Sequence, residues 1–171
     1  EAIKTGILDN ESLFSLFESN DGKQNIEEIV AQCVAFKANV VEQDERETGL
    51  RKTLNLGHTA GHAIELCSGY SIPHGHAVAV GLAIIARAAE RLQWATEPVA
   101  ERIVRALKQN NLPTTTEFSP DALANAALLD KKRAGGVITL VVPRCIGGCT
   151  LLDVPVEQLA EIFRAGMEAD A

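Results

Sequence analysis

The chain has 171 residues, of which 46% are hydrophobic, and a formal net charge of −7. This length suffices for one compact domain with a real core, and the acidic balance disfavours a nucleic-acid-binding surface. The longest apolar run, 77–86, is about half of the roughly 20 residues that a membrane-spanning helix needs. No signal peptide is visible, and the four cysteines follow no disulfide or zinc-ribbon spacing, so we expect reduced thiols in a cytoplasmic protein.

Hydrophobic periodicity predicts helices through the first part of the chain. Residues 1–7 have the pattern of a helix end; because no methionine precedes them, we expect a fragment of a longer protein. Further helices are predicted at 10–17 and 26–44. Lys37 interrupts the apolar side of the latter, so it either snorkels to a boundary or points into a cleft. That apolar side consists of Ile26, Ile29, Val30, Cys33, Val34, Val40 and Val41.

All four histidines lie within residues 58–76, and two of them are predicted to share a helical stripe with other polar groups. The remaining faces of that helix are apolar. A polar stripe through an apolar region is costly unless its groups bind something, so this stretch indicates a site. The predicted stripe consists of Arg51, Asn55, His58, His62 and Glu65.

The rest of the chain predicts more helix and one hairpin. Helices are expected at 77–94 and 97–110, and another begins at Ser119, an N-cap followed by Pro120. The β-branched runs 137–142 and 149–154 flank Gly147-Gly148 and predict a hairpin, and a closing helix follows at 155–167. The predicted fold is mainly α, a helical bundle with one small β-hairpin near residues 137–154.

The histidine spacing allows a metal site but does not establish one. His58 and His62 stand at i, i+4 and could bind zinc from one helix, yet the thermolysin-type signature requires Glu where Thr59 stands. His74, after Pro73, could supply a ligand from a second element, since catalytic zinc takes three protein ligands and an open position. Structural histidines are the alternative.

A resemblance to a known family favours the metal. The string from Asp44 to Glu65, followed by His74-Gly-His-Ala-Val78, resembles the hallmark of the 3-dehydroquinate synthase family. The opening Glu1-Ala-Ile-Lys4-Thr-Gly and the segment Asp130-Lys-Lys with the Ile146-Gly147 hairpin match further parts of that family. The resemblance spans nearly all of residues 1–171 but covers only the C-terminal metal- and substrate-binding helical domain. It implies that the N-terminal NAD-binding domain is absent from this chain.

The resemblance implies an activity and a set of site residues. The family converts 3-deoxy-D-arabino-heptulosonate 7-phosphate to 3-dehydroquinate plus phosphate, in the shikimate pathway of aromatic amino acid biosynthesis, with transient reduction of NAD. It implies Zn²⁺ or Co²⁺ held by Glu1, His58 and His74 as a Lewis acid, and proton-acceptor roles for His62 and Glu47. The substrate's carboxylate and phosphate call for cationic and polar partners, namely Lys4, Lys37, Arg51, Asn55, Lys131 and Lys132, with the choice between the last two lysines left open.

Other interpretations remain at this point. Related sugar-phosphate cyclases of the 2-deoxy-scyllo-inosose or epi-valiolone synthase type share the architecture, as do iron-dependent alcohol and glycerol dehydrogenases. The dehydrogenases lack the Arg51/Asn55/His58/His62 string and usually carry Asp where Glu1 stands. A non-enzymatic bundle would take up no zinc specifically.

Several expectations concern the surroundings of the site and the whole protein. Glu65 is either a partner behind a metal ligand or merely the end of the stripe, and we favour the latter. We expect His76 to be an ordinary helix-start residue. The family is commonly homodimeric, and its small-molecule chemistry needs neither nucleic acid nor membrane. Without the NAD-binding domain, the fragment should be inactive.

Overall fold

The computed structural model describes residues 1–19, 24–47, 49–131 and 136–168, and it confirms a mainly α fold with one antiparallel hairpin. None of the helices in these ranges is both long and apolar enough to cross a bilayer. In chain order the elements are α1 (Ala2–Asp9), α2 (Glu11–Glu18), α3 (Ile26–Gln43), a 3-10 helix (Leu50–Asn55), α4 (His58–Cys67), α5 (His74–Arg91), α6 (Ala100–Gln109), α7 (Pro120–Lys131), β1 (Val137–Cys145), β2 (Gly148–Pro155), a 3-10 turn (Val156–Gln158) and α8 (Leu159–Met167).

Helix α5 forms the centre of the core. Twelve of its 18 residues are buried, and α4, α6, α8 and β1 pack around it. Its inner positions are mostly Ala, Val, Ile and Leu, with Gly81 where α4 approaches. A Cβ at Gly81 would lie only 2.0 Å from the carbonyl oxygen of Gly57. Gly57 itself adopts a φ of +75°, which favours glycine. These two glycines bring the start of α4 directly against α5.

The hairpin secures α1 at the other side of the core. Strands β1 and β2 pair in antiparallel register from Val137↔Pro155 to Pro143↔Cys149, with an irregularity before Cys145. At the turn, the Gly147 N–H donates a 2.9 Å hydrogen bond to the Ile7 carbonyl. The β-turn thereby holds the helix that begins beside Glu1.

One sequence-based prediction about the helices was wrong, and one helix has an unexpected surface. The stretch 51–65 is not one α-helix: a 3-10 helix ends at Asn55, and the left-handed Gly57 separates it from α4. The apolar side of α3 is only partly covered in the described structure, because Ile26, Val30 and Val34 are more than half exposed. Periodicity reports a helix's amphipathic pattern, but not whether a neighbour covers the apolar side.

Candidate metal centre

Three predicted ligands from three separate elements meet at one point. Glu1 directly precedes α1, His58 is the first residue of α4, and His74 is the first residue of α5. The Nε2 atoms of His58 and His74 lie 3.6 Å and 3.7 Å from the same oxygen, Oε1 of Glu1. The sequence-distant ends of three helices therefore form a compact group of donors.

Hydrogen bonds fix how the two imidazoles face that point. His58 Nδ1 lies 3.1 Å from the Leu56 carbonyl oxygen, and His74 Nδ1 lies 3.1 Å from Oε1 of Glu65. Carbonyl and carboxylate oxygens only accept, so both Nδ1 atoms donate, and in the neutral rings the lone pairs lie on the Nε2 atoms that face Glu1. With neutral rings these two lone pairs and the Glu1 carboxylate face one another, and a cation bound between them would relieve their mutual repulsion.

A divalent cation fits this donor set. Zinc bonds of about 2.0–2.1 Å place tetrahedral ligand atoms roughly 3.3–3.4 Å apart, close to the distances from Glu1 to the two histidines. Two imidazoles and one carboxylate are a known catalytic zinc set with a position left open. Cobalt accepts the same ligands.

Glu65 supports the centre from behind His74, so the interpretation of Glu65 as merely the end of a stripe was wrong. Its side chain is 15% exposed, and its carboxylate accepts the His74 Nδ1 proton. A carboxylate that accepts from a ligand histidine sets the ring's tautomer and raises the basicity of the other nitrogen.

Lys4 sets the charge of the Glu1 carboxylate. Its ammonium lies 2.8 Å from Oε2 of Glu1 and donates to the Leu54 carbonyl at 2.6 Å, and its side chain is buried. Burial by itself raises the pKa of Glu1, but the hydrogen bond and charge of Lys4, together with the charges of the terminal amino group and His58, leave that pKa below its usual value. Burial, followed by the charge of Lys4, lowers the pKa of His58. An ionised Glu1 and a neutral His58 are the forms that bind metal.

A cavity of about 1150 Å³ opens beside the centre, and His58, Glu65 and His74 contribute to its wall. Three further predicted site residues line it: Glu47, Asn55 and His62. The Asn55 amide donates a 3.0 Å hydrogen bond to Oε1 of Glu47. The structure thus brings one predicted amide and both predicted proton acceptors together next to the three candidate metal ligands.

The remaining predicted site residues either do not line the cavity or fall outside the residues that the structure describes. The Arg51 guanidinium donates to the Glu45 carbonyl at 2.8 Å, and Lys37 is exposed on α3; neither lines the cavity. Lys4 is engaged by Glu1 and Leu54. Lys131 ends α7 with its side chain outside the described part, and Lys132 lies outside the described residues altogether. Substrate contacts of these cations stay predictions.

Sequence reasoning missed Lys52, which lines the cavity together with Asn55. In a 3-10 helix the side chains at i and i+3 align, so residues 52 and 55 share a row, whereas an α-helix would align 51 with 55. The buried Asp44 fixes this segment, because its carboxylate accepts from the backbone N–H groups of Gly49 and Arg51 at 2.8 Å and 3.0 Å. Asp44, five residues before Gly49, was the available sequence signal for a turn capped by an aspartate side chain.

Comparison with known proteins identifies the family of this chain. The family model described as the 3-dehydroquinate synthase C-terminal domain matches residues 1–133. The chain belongs to that family. The 3-dehydroquinate synthase of Pelobacter propionicus is 38% identical over 98% of this chain and 48% of its own length. That of Pyrococcus abyssi is 39% identical over 95% and 49%. The chain therefore spans about half the length of the curated relatives that it matches.

Solved structures show the same fold. ValA, a 2-epi-5-epi-valiolone synthase from Streptomyces hygroscopicus subsp. jinggangensis 5008 with NAD⁺ and Zn²⁺ bound, superposes with a TM-score of 0.80 at 20% identity, over 96% of this chain and 49% of that one. A 2-deoxy-scyllo-inosose synthase complexed with carbaglucose-6-phosphate, NAD⁺ and Co²⁺ gives 0.76 at 22% identity, over 97% and 50%. At these identities the likeness concerns the fold alone.

Proposed function

We propose that this chain is the metal- and substrate-binding part of a 3-dehydroquinate synthase. The whole protein would convert 3-deoxy-D-arabino-heptulosonate 7-phosphate to 3-dehydroquinate and phosphate. The observation that carries the proposal is the convergence of Glu1 Oε1 with the Nε2 atoms of His58 and His74. Membership of the 3-dehydroquinate synthase family selects this activity among those of the shared fold.

In this proposal Glu1, His58 and His74 hold Zn²⁺ or Co²⁺. When bound, such a cation supplies Lewis-acid polarisation of the substrate's hydroxyl groups. Lys4 keeps Glu1 ionised, Glu65 keeps the Nε2 atom of His74 free for coordination, and the Leu56 carbonyl does the same for His58. The protein groups thus prepare an anionic carboxylate and two imidazoles whose Nε2 atoms face it.

Two side chains are proposed to move protons. His62 is exposed in the cavity, and its ring centre lies 5.3 Å from that of His58, which supports a role for its imidazole next to a substrate bound in that cavity. Glu47 is held by the Asn55 amide and has a φ of 55°. A non-glycine residue in that region costs about 1–3 kcal/mol and persists where the surroundings fix it, often at functional sites.

Recognition of the substrate's anionic groups is proposed for the predicted cations together with Asn55. Lys52 lines the cavity and adds a cation that could take the substrate-binding role expected of Arg51. The N-terminal NAD-binding domain, a homodimeric assembly and a cytoplasmic setting stay predictions for the whole protein. Because hydride transfer needs NAD, residues 1–171 alone are expected to be inactive.

The test is an assay of the whole protein for phosphate release from the heptulosonate phosphate. We expect turnover that a chelator abolishes and Zn²⁺ or Co²⁺ restores, and a loss of at least about 100-fold for His62→Ala, the size typical of a missing general base. His76→Ala, which removes an exposed histidine outside the cavity lining, is the matched control. Turnover of another sugar phosphate but not of this one would instead identify a related cyclase.

A further inference from the structure

A second group of metal-ligating side chains lies next to the first one. His62, Glu65 and His74 each offer a donor atom within 4.8 Å of the other two. His62 and Glu65 stand three residues apart on α4, so both leave the same face of the helix, while His74 comes from the start of α5. Two imidazoles and a carboxylate again form a set that suits zinc or cobalt.

His74 stands between the two groups and has a nitrogen for each. Its Nε2 is 3.7 Å from Glu1, and its Nδ1 is 3.1 Å from Glu65. A cation on the Nδ1 side would take the place of the proton that His74 donates to Glu65, and that proton would pass to solvent. Both ring nitrogens would then coordinate, one to each cation.

His62 is free to complete such a site. It is exposed, and no hydrogen bond ties its ring to the part of the chain that the structure describes. Its ring centre lies 6.0 Å from that of His74, with the two planes tilted by 32°. A rotation of an exposed side chain is therefore enough to direct a nitrogen at a cation held by Glu65.

We propose that His62, Glu65 and His74 form a second divalent-cation site, weaker than the one at Glu1. It is weaker because the cation must displace a proton from His74 and because two cations sharing one imidazole repel each other. If the proposed function is correct, an excess of metal would also engage His62 and inhibit the whole enzyme, but the binding site itself does not depend on that function.

The experiment is a calorimetric titration of the metal-free 171-residue chain with Zn²⁺, repeated with Co²⁺ to follow its visible spectrum. We expect a first binding event and a second one that is weaker by at least about tenfold, which corresponds to 1.4 kcal/mol. His62→Ala should remove the second event and leave the first. Glu1→Gln should weaken the first and leave the second.

His76→Ala is the matched control, because it removes an exposed histidine from the same helix start without touching either group; both events should persist. In the Glu1→Gln background, the second event should vanish when His62→Ala is added but not when His76→Ala is added. A single event up to millimolar Zn²⁺ in the unmodified chain would overturn the proposal, and so would a second event that survives His62→Ala. Circular dichroism of each metal-free variant checks folding, and His62→Gln replaces His62→Ala if the latter does not fold.

Discussion

At the scale of single residues, the candidate centre depends on which nitrogen of each histidine carries the proton. For His58 the acceptor is the Leu56 carbonyl two residues earlier, so the local backbone sets the tautomer. For His74 the acceptor is the Glu65 carboxylate from another helix. The orientation of His74 therefore depends on tertiary structure. Substitution of Glu65 tests the effect of this one contact separately from the rest of the fold.

Glu65→Gln is expected to lower the affinity of the first site for Zn²⁺ by about 10–100-fold, as loss of a carboxylate behind a ligand histidine typically does. The amide can donate to Nδ1 as well as accept from it, so the tautomer is no longer fixed. Competition with a coloured chelator measures the change, and Glu117→Gln, at an exposed carboxylate outside the cavity lining, is the control. Equal affinity in both variants would mean that Glu65 does not position His74.

At the scale of elements, the approach of α4 to α5 depends on the absence of a side chain at Gly81. A Cβ there would lie 2.0 Å from the Gly57 carbonyl oxygen, and backbone must move to admit it. Gly75 also belongs to α5, but nothing lies within 4 Å of its Cβ position. The same substitution in one helix therefore has opposite consequences at the two positions.

Gly81→Ala should destabilise the chain by about 1–3 kcal/mol, the usual cost of overpacking. Gly75→Ala should be neutral or stabilising by about 0.5–1 kcal/mol, because alanine is the better helix former. Urea unfolding of metal-free protein measures both. If the two variants unfold at the same urea concentration, the contact between Gly57 and Gly81 does not limit the packing of α4 on α5.

Helix α6 is joined to α2 by the guanidinium of Arg102. Its Nε donates to Glu18 at 3.0 Å, its Nη2 pairs with both Glu11 and Glu18, and its charge lies 5.4 Å from the centre of the Phe14 ring. The hydrogen bond from Arg102 holds the pKa of Glu18 below its ordinary value of 4.5. A lowered carboxyl pKa stabilises the fold above pH 4.5, and that stabilisation is lost as the pH falls through the folded-state value.

Arg102→Met should therefore reduce the free energy of unfolding near neutral pH by about 0.5–1 kcal/mol, since the pair is partly exposed. The difference from the unmodified chain should shrink as the pH is lowered below 4.5, the ordinary pKa of Glu18. Urea unfolding across pH 3–7 measures it. Arg164→Met, which breaks a more exposed pair with Asp121, should change less at every pH. A difference for Arg102→Met that is constant with pH would contradict the role of Glu18.

Much of the fold could be predicted from the sequence, because helices such as α5 and strands such as β1 carry strong periodic or β-branched patterns. The short segment before His58 could not be predicted from the sequence. Its six residues form a 3-10 helix, which differs from an α-helix in its hydrogen-bond partners, and the buried Asp44 fixes the start of this segment through the Arg51 N–H. Because this segment is a 3-10 helix, Lys52 rather than Arg51 lines the cavity. The contact between Glu65 and His74 likewise required knowledge of how α4 meets α5.

At the scale of the whole molecule, the candidate ligands link α1, α4 and α5, which are remote in sequence. A cation that binds all three favours the folded chain over the unfolded chain, in which the ligands are separated. At about 100 times its dissociation constant, such a ligand adds about 2.7 kcal/mol.

Zinc at that concentration should raise the Tm of the chain by about 5–10 °C, given about 2–4 °C per kcal/mol for a domain of this size. Differential scanning calorimetry with zinc and with chelator measures the shift, and Glu1→Gln should lose most of it. A shift of equal size in Glu1→Gln would show that zinc stabilises the protein from another place.

The hydrogen bond from Gly147 to the Ile7 carbonyl joins helix α1 to the hairpin turn, which lies far along the chain. During translation α1 leaves the ribosome many seconds before the hairpin, at the usual rate of about 5–20 residues per second. Until that turn emerges, nothing from it can restrain the helix beside Glu1. The restraint that this turn places on α1 is therefore available only after residue 147 has been made.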